Sequence, residues 1–392
     1  MPLLTPEVPA QSWMLAGGTL LTPEGLARGD LALRDGLIAE TASPAAKIMD
    51  ASGLMVLPGL IDIHGDAFER QMMPRPGVAF PIETALLDTD RQLAANGITT
   101  AYHGVTWSWE PGLRGAENAH ALLDGLEALS GRLAIDTRYH LRQETFNLEA
   151  EDTILGWIAA GRIGCLAFND HMEGTLKSRS RPDKIGKMIE RSGLGSADFL
   201  TLVDAVHARR DEVPGSIERL ARAAVEAGIP MLSHDDMSPD MRRWFRALGV
   251  AIAEFPINEE TAEEAGAARE PIVFGAPNVV RGGSHTGCPS ASAMVARGLC
   301  SVLASDYYYP ALLMAPFRLV ADGITSFETA YALVSEGPAR ALGLDDRGIL
   351  AAGKRADVVL VDPGDGGRVP RVVATFAAGR LVHLADGSRL GA

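Results

Sequence analysis

Leu57-Pro58-Gly59-Leu60-Ile61-Asp62-Ile63-His64-Gly65-Asp66 carries an apolar run into a histidine and an aspartate two residues apart. In an extended strand, residues i and i+2 point to the same side, so an imidazole nitrogen and a carboxylate oxygen converge on one point. A borderline metal ion such as zinc takes such a pair as ligands. An isolated His-x-Asp favours a plainer alternative, two solvated polar residues at a strand end. The rest of the chain has to decide.

Downstream, apolar strand-like runs alternate with helical stretches. Ile98–His103, Asp136–Arg142, Ile163–Phe168, Ile229–His234, Val250–Phe255, Pro271–Gly275 and Leu299–Asp306 bring the total, with the opening run, to eight. Helices are expected over 83–95, closed by Asn96-Gly97, over 116–129, and over 217–227 with Ser216 as N-cap and Gly228 as stop. Ser238-Pro239 starts another, and Thr325 with Glu328 forms a candidate capping box. Eight repeats of strand then helix point to an α/β chain folded as a (β/α)8 TIM barrel, with a doubly wound sheet as the alternative. The charged segment 172–196 interrupts the rhythm as an insertion or lid.

Both ends read differently. Gly17-Gly18 is a turn signal, and Asp35-Gly36 is a strong hairpin signal between alternating runs. Residues 356–362, 371–376 and 381–383 are again strand-like, with a turn at Gly379. A small discontinuous β-sandwich built from 1–56 and 345–392, around a barrel spanning 57–344, accommodates both ends.

Composition excludes some classes. Of 392 residues, 47% are apolar and 22% charged, an ordinary globular mixture with enough apolar residues for a large core. Lys plus Arg (36) against Asp plus Glu (50) gives −14, which argues against nucleic acid or an anionic membrane as partner. A small anionic substrate remains compatible, because a local metal or arginine cluster outweighs distant charge. Cys165, Cys288 and Cys300 fit neither a disulfide framework nor a cysteine zinc site, so a reducing cytoplasm is the simplest compartment. Neither a signal-peptide pattern nor a spanning apolar stretch stands out.

In a (β/α)8 barrel, chemistry sits at the C-terminal ends of the strands. Here those ends carry His64 and Asp66; His103; His140, Arg142 and Glu144; Asn169, Asp170 and His171; His234, Asp235 and Asp236; Glu254; and Asp306. Each alone has a dull explanation as a helix cap, a loop residue or a satisfied buried histidine. A metal site assembled from several strands explains them together.

His64-Gly65-Asp66 after Leu57-Pro58-Gly59-Leu60, with Gly353-Lys354-Arg355-Ala356-Asp357-Val358-Val359 near the end, resembles the amidohydrolase superfamily. Further stretches resemble one branch, the α-D-ribose 1-methylphosphonate 5-triphosphate diphosphatases of phosphonate catabolism. They are Met73-Pro74-Arg75-Pro76, His140-Leu141-Arg142 with Glu144, Ser233-His234-Asp235-Asp236, Ala253-Glu254-Phe255-Pro256, the run from Gly275 to His285, and Ser305-Asp306-Tyr307-Tyr308. After Asp170-His171 that branch continues in a Pro-Gly-Gln-Arg-Gln-like stretch, whereas this chain has Met172-Glu173-Gly174-Thr175-Leu176-Lys177, a segment expected to border the substrate.

The resemblance implies a metal-dependent hydrolase that releases pyrophosphate from a 5'-triphosphate. One or two divalent ions, zinc first with manganese or iron as alternatives, would be held by His64, Asp66, Glu144, His171, His234 and Asp306. Asp306 would also act as the catalytic base and stay ionised against the cations. Arg142, Lys177 and Arg281 are candidate phosphate clamps, Gly282-Gly283-Ser284 a candidate backbone nest, and His285 a further donor. For Arg142, a salt bridge to a strand-end carboxylate is an equal alternative. Homodimers are common among such barrels. Hydrolysis of a C–N or C–O bond in a cyclic amide, N-acyl compound or lactone is the rival within the fold, and a catalytically silent binding protein is the rival outside it.

Overall fold

A computed structural model describes residues 12–75, 77–283, 289–364 and 369–391. Eight parallel strands follow one another in sequence order: β1 (Leu60–Gly65), β2 (Ile98–Trp107), β3 (Asp136–Glu144), β4 (Cys165–Asn169), β5 (Met231–His234), β6 (Ile252–Glu254), β7 (Ile272–Gly275) and β8 (Val302–Ala304). They are almost wholly buried, as strands covered on both faces must be. Ile61, Ile63, Tyr102, Cys165, Ala167, Leu232, Ile252, Val273 and Val302 form one apolar cluster contributed by the successive strands. The packed cluster makes the barrel a solid platform for the strand ends above it.

Closure between β8 and β1 is uneven. At the C-terminal end a parallel bridge joins Gly65 to Asp306, with Asp306 N–H donating to His64 O and Asp66 N–H donating to Asp306 O, both at 2.9 Å. Lower down, Leu333 and Val334 wedge between the strands, accepting from Leu303 and Ile61. The seam therefore shuts where the candidate ligands sit and opens away from them.

The terminal strands make one continuously hydrogen-bonded eight-stranded sheet, joined across the two ends where Met55–Pro58 pairs antiparallel with Val358–Asp362. Its first strand, Trp13–Thr22, runs straight through Gly17-Gly18, so that pair is no turn. The register shifts between Leu15 and Gly18, and Gly17 takes φ 76°. A left-handed glycine in such a shift is a β-bulge that bends the strand, and its two halves pair with Lys47–Asp50 and Met55–Pro58 in turn. Asp35-Gly36 and Ala378-Gly379 both take positive φ, as two-residue hairpin turns require.

Two expected helix starts shift. Ser216 lies inside the helix Val213–Ala227, buried, because Pro214 in the first turn starts it earlier. Ser326, not Thr325, caps Phe327–Ala332 by accepting from Thr329 N–H. Residues 172–207 form three helices, Met172–Ser178, Pro182–Ser192 and Ser196–His207, around a small apolar cluster of Met172, Ile185, Phe199 and Val203. Among the described residues no helix is long and apolar enough to cross a membrane.

Candidate functional site

Glu254 at the end of β6 is the hub. Its Oε1 lies 2.7 Å from His64 Nδ1 and its Oε2 2.8 Å from His234 Nδ1, all three side chains buried. The two rings stand nearly parallel, 15° apart with centroids 5.5 Å apart. A carboxylate only accepts, so both imidazoles donate from Nδ1 and keep the lone pair on Nε2. Burial works to raise the Glu254 carboxyl, but His64 and His234 override it and hold it well below the usual carboxylate range. Burial pushes His64 down to about 3, which keeps its ring neutral. A neutral, fixed-tautomer histidine held by a carboxylate is the form that binds a metal.

Ligand atoms of His64, Asp66 and Asp306 lie within 4.8 Å of one another, and so do those of His171, His234 and Asp235. Asp235, Phe255 and Asp306, each following a strand, take φ of 60°, 55° and 54°. Aspartate tolerates this region, whereas phenylalanine does so at a cost, and such strain gathers where side chains must be aimed. Asp62 anchors the seam, accepting from Ser305 N–H at 3.0 Å and Ser305 Oγ at 2.5 Å. Burial, reinforced by Asp66, pushes Asp306 up to about 7. Asp66 is also raised, by burial, against the pull of Arg142. The ionised state expected for Asp306 therefore depends on a cation among these carboxylates.

Arg142, from β3, is 4% exposed and faces this cluster rather than the rim. Nη1 lies 3.4 Å from Asp66 Oδ2 and Nη2 3.2 Å from His234 Nε2. The guanidinium donors require the Asn169 amide to be assigned with its oxygen toward them, where it accepts from Nη2 and Nε at 3.2 Å each. Glu144 Oε1 meets His171 Nδ1 at 2.5 Å. That carboxylate pushes the His171 imidazole up to about 10, and His171 in turn helps lower Glu144 against its burial.

The six expected ligands thus converge at the strand ends, with Glu144 reaching the cluster through His171. The expected phosphate groups divide. Arg281 donates to Tyr307 Oη at 3.2 Å, and Arg70 to Tyr307 O at 2.6 Å, so two guanidiniums bracket the residue after Asp306. Among the described residues neither pairs with a carboxylate. Lys177 instead pairs with Glu173 at 2.8 Å on the exposed face of its helix. Of the expected Gly282-Gly283-Ser284 nest, Ser284 lies outside the described residues. Gly282 takes φ 81° and caps the helix Ala276–Arg281, its N–H donating to Val279 O and that of Gly283 to Asn278 O. Both donors are spent on the helix end. His285 lies outside the described residues.

Glu254, Asp235 and Asn169 stood at strand ends in the sequence without a role, and their partners come from other strands. His140 donates from Nδ1 to Ile63 O at 2.9 Å, while its buried Nε2 has no partner among the described residues. His103 packs against Phe68. Mixed imidazole and carboxylate donors, with the Nε2 lone pair of His64 not engaged by any donor among the described residues, fit a divalent ion such as zinc, manganese or iron.

The Amidohydrolase family model matches residues 201–383. The α-D-ribose 1-methylphosphonate 5-triphosphate diphosphatase of Escherichia coli (strain K12) is 33% identical over 349 residues, covering 86% of this chain and 92% of that protein. An allantoinase of Deinococcus radiodurans is 28% identical over 220 residues, 55% of this chain and 45% of its own. A crystal structure of D-hydantoinase superposes with a TM-score of 0.64 at 14% identity, covering 95% of both chains, which shows the shared fold.

Proposed function

This chain belongs to the amidohydrolase family, and we propose that it is a metal-dependent diphosphatase acting on α-D-ribose 1-methylphosphonate 5-triphosphate or a related 5'-triphosphate. The observation that carries the proposal is the meeting of Arg70 and Arg281 at Tyr307, beside Asp306 and its neighbouring ligands. A triphosphate brings several negative charges to a chain of net charge −14. It needs rim cations that a neutral cyclic amide does not. The 33% identity with a diphosphatase over most of both chains supports the same choice.

His64, Asp66 and Asp306 would hold the metal, with His171 and His234 beside them and Glu144 acting through His171. A divalent ion there supplies Lewis acidity, lowering the pKa of water beside it from ~15.7 toward ~7. Glu254 keeps the two histidines in register. Asp306 receives the proton of the attacking water on its carboxylate oxygen and returns it to the departing side. The water oxygen bonds to phosphorus, the anhydride P–O bond breaks, and pyrophosphate leaves beside the 5-phosphate. Arg281 and Arg70 orient the phosphates at the rim, where positioning and charge neutralisation do most of the work.

We further propose a cytoplasmic homodimer whose barrel spans 57–344. A second reading, hydrolysis of a C–N bond in a small ring, is favoured by the allantoinase similarity and by the departure at Met172–Lys177. Assaying a triphosphate panel and a cyclic-amide and lactone panel with added zinc or manganese separates the two. Pyrophosphate release supports the first, and ring opening without it overturns the first in favour of the second.

A further inference from the structure

We infer that Arg142 occupies the place of a second metal ion, so that the centre holds a single divalent ion, on His64, Asp66 and Asp306. The inference rests on the proposed metal centre but not on the substrate assigned to it.

The decisive atom is His234 Nε2. His234 commits its Nδ1 proton to Glu254 at 2.8 Å, which leaves Nε2 as its one ligating lone pair. Arg142 Nη2 donates into that lone pair at 3.2 Å. A ring nitrogen cannot accept a hydrogen bond and coordinate an ion with the same pair of electrons. The group of His171, His234 and Asp235, which by spacing alone fits a metal, is thereby closed on one side. His171 is itself engaged, its Nδ1 2.5 Å from Glu144 and its Nε2 3.7 Å from Asp235.

His64 differs. Its Nδ1 is likewise held by Glu254, but among the described residues no donor meets its Nε2. Ligand atoms of His64, Asp66 and Asp306 lie within 4.8 Å of one another, and Nε2 is the ring atom of His64 left to ligate.

Arg142 is built into this position. Asn169 holds Nη2 and Nε, and Asp66 Oδ2 lies 3.4 Å from Nη1. A β-carbon on Gly104 would come 3.1 Å from Arg142 Cδ, so the glycine makes room for the arginine stem. The guanidinium is a fixed single charge bridging the two ligand groups. It can neutralise Asp66 beside it without needing a ligand sphere of its own.

Metal stoichiometry and manganese(II) spin resonance on the full chain test the inference without reference to turnover. The wild-type protein, dialysed against excess manganese and desalted, should retain one equivalent and give the spectrum of an isolated ion. Arg142→Ala should take up a second equivalent and show exchange coupling between neighbouring ions. Arg142→Met, which keeps the bulk of the stem but cannot donate, should do the same if the alanine variant fails to fold. Two equivalents or a coupled spectrum in the wild type would overturn the inference, as would a folded variant that stays at one. A wild-type protein that retains no ion under these conditions would overturn both this inference and the metal centre beneath it. Failure to cleave any triphosphate would leave the stoichiometry untouched and count only against the proposed substrate.

Discussion

Replacing Glu254 by glutamine tests whether one buried carboxylate organises the centre. The wild-type carboxylate accepts from His64 at 2.7 Å and from His234 at 2.8 Å. Glutamine keeps one acceptor oxygen and turns an N–H₂ group toward the other ring. That ring must then present its lone pair at Nδ1 and carry its proton on Nε2, where it can no longer ligate. Loss of a partner behind one metal-binding histidine costs roughly 10- to 100-fold in affinity. Either amide orientation does harm, at His64 by taking the ligating lone pair and at His234 by turning an N–H against Arg142, so the upper end is expected for Glu254→Gln, about 100-fold or about 2.7 kcal/mol. Competition for zinc against a chromophoric chelator measures it, with thermal melting as the check on folding. Affinity within about threefold of wild type in a folded variant would refute the assigned role, since even the weaker end of such effects is larger.

Three further outcomes follow from particular contacts. A methyl group on Gly65 would lie 2.6 Å from Asp62 Oδ2 and 3.0 Å from Ser305 Oγ. Gly65→Ala should therefore spread the β1–β8 seam, costing about 1–3 kcal/mol in urea unfolding and weakening metal retention; a variant as stable as wild type would count against the seam. Asp136 is gripped by Arg347 at 2.7 Å and Arg138 at 3.0 Å. Burial works to raise its carboxyl, but these arginines and Arg355 override it, taking it from 3.8 to about 2. A carboxyl depressed on folding stabilises above its unfolded value, so about 2 kcal/mol should be present above pH ~4 and lost as pH falls toward ~2. The stability gap between wild type and Asp136→Asn should shrink over that interval, and a gap independent of pH would contradict this. Arg281→Ala should raise KM for a triphosphate about tenfold or more, as loss of a charge-assisted phosphate contact does. Lys177→Ala, which removes only an exposed surface pair, should leave KM near wild type, and the reverse pattern would return Lys177 to the substrate.

The barrel was legible because its strands are apolar runs ending in ionisable residues, and the opening stretch showed that pattern most compactly. His64, Asp66, His171, His234 and Asp306 could be picked out because metal-ligating side chains recur at one end of successive strands. Glu254 could not be given its role. It lies 190 residues from His64 in sequence, and only closure of the barrel sets its carboxylate between two rings. The orientation of Arg142 is hidden for the same reason, since its partners come from β1, β4 and β5. Gly282-Gly283 is ambiguous in sequence because a glycine pair after a short helix serves a helix end as readily as an anion, and here both N–H groups donate to the helix end. Gly17-Gly18 likewise reads as a turn until its neighbours in the sheet reveal a bulge.

The most direct measurement is pyrophosphate release by the zinc- or manganese-loaded protein supplied with α-D-ribose 1-methylphosphonate 5-triphosphate. Stoichiometric release of pyrophosphate with the 5-phosphate, abolished by Asp306→Asn and diminished by Glu254→Gln, is the predicted result. No pyrophosphate from this or any other 5'-triphosphate, with hydrolysis of a cyclic amide or lactone by the same preparation, would contradict the assignment.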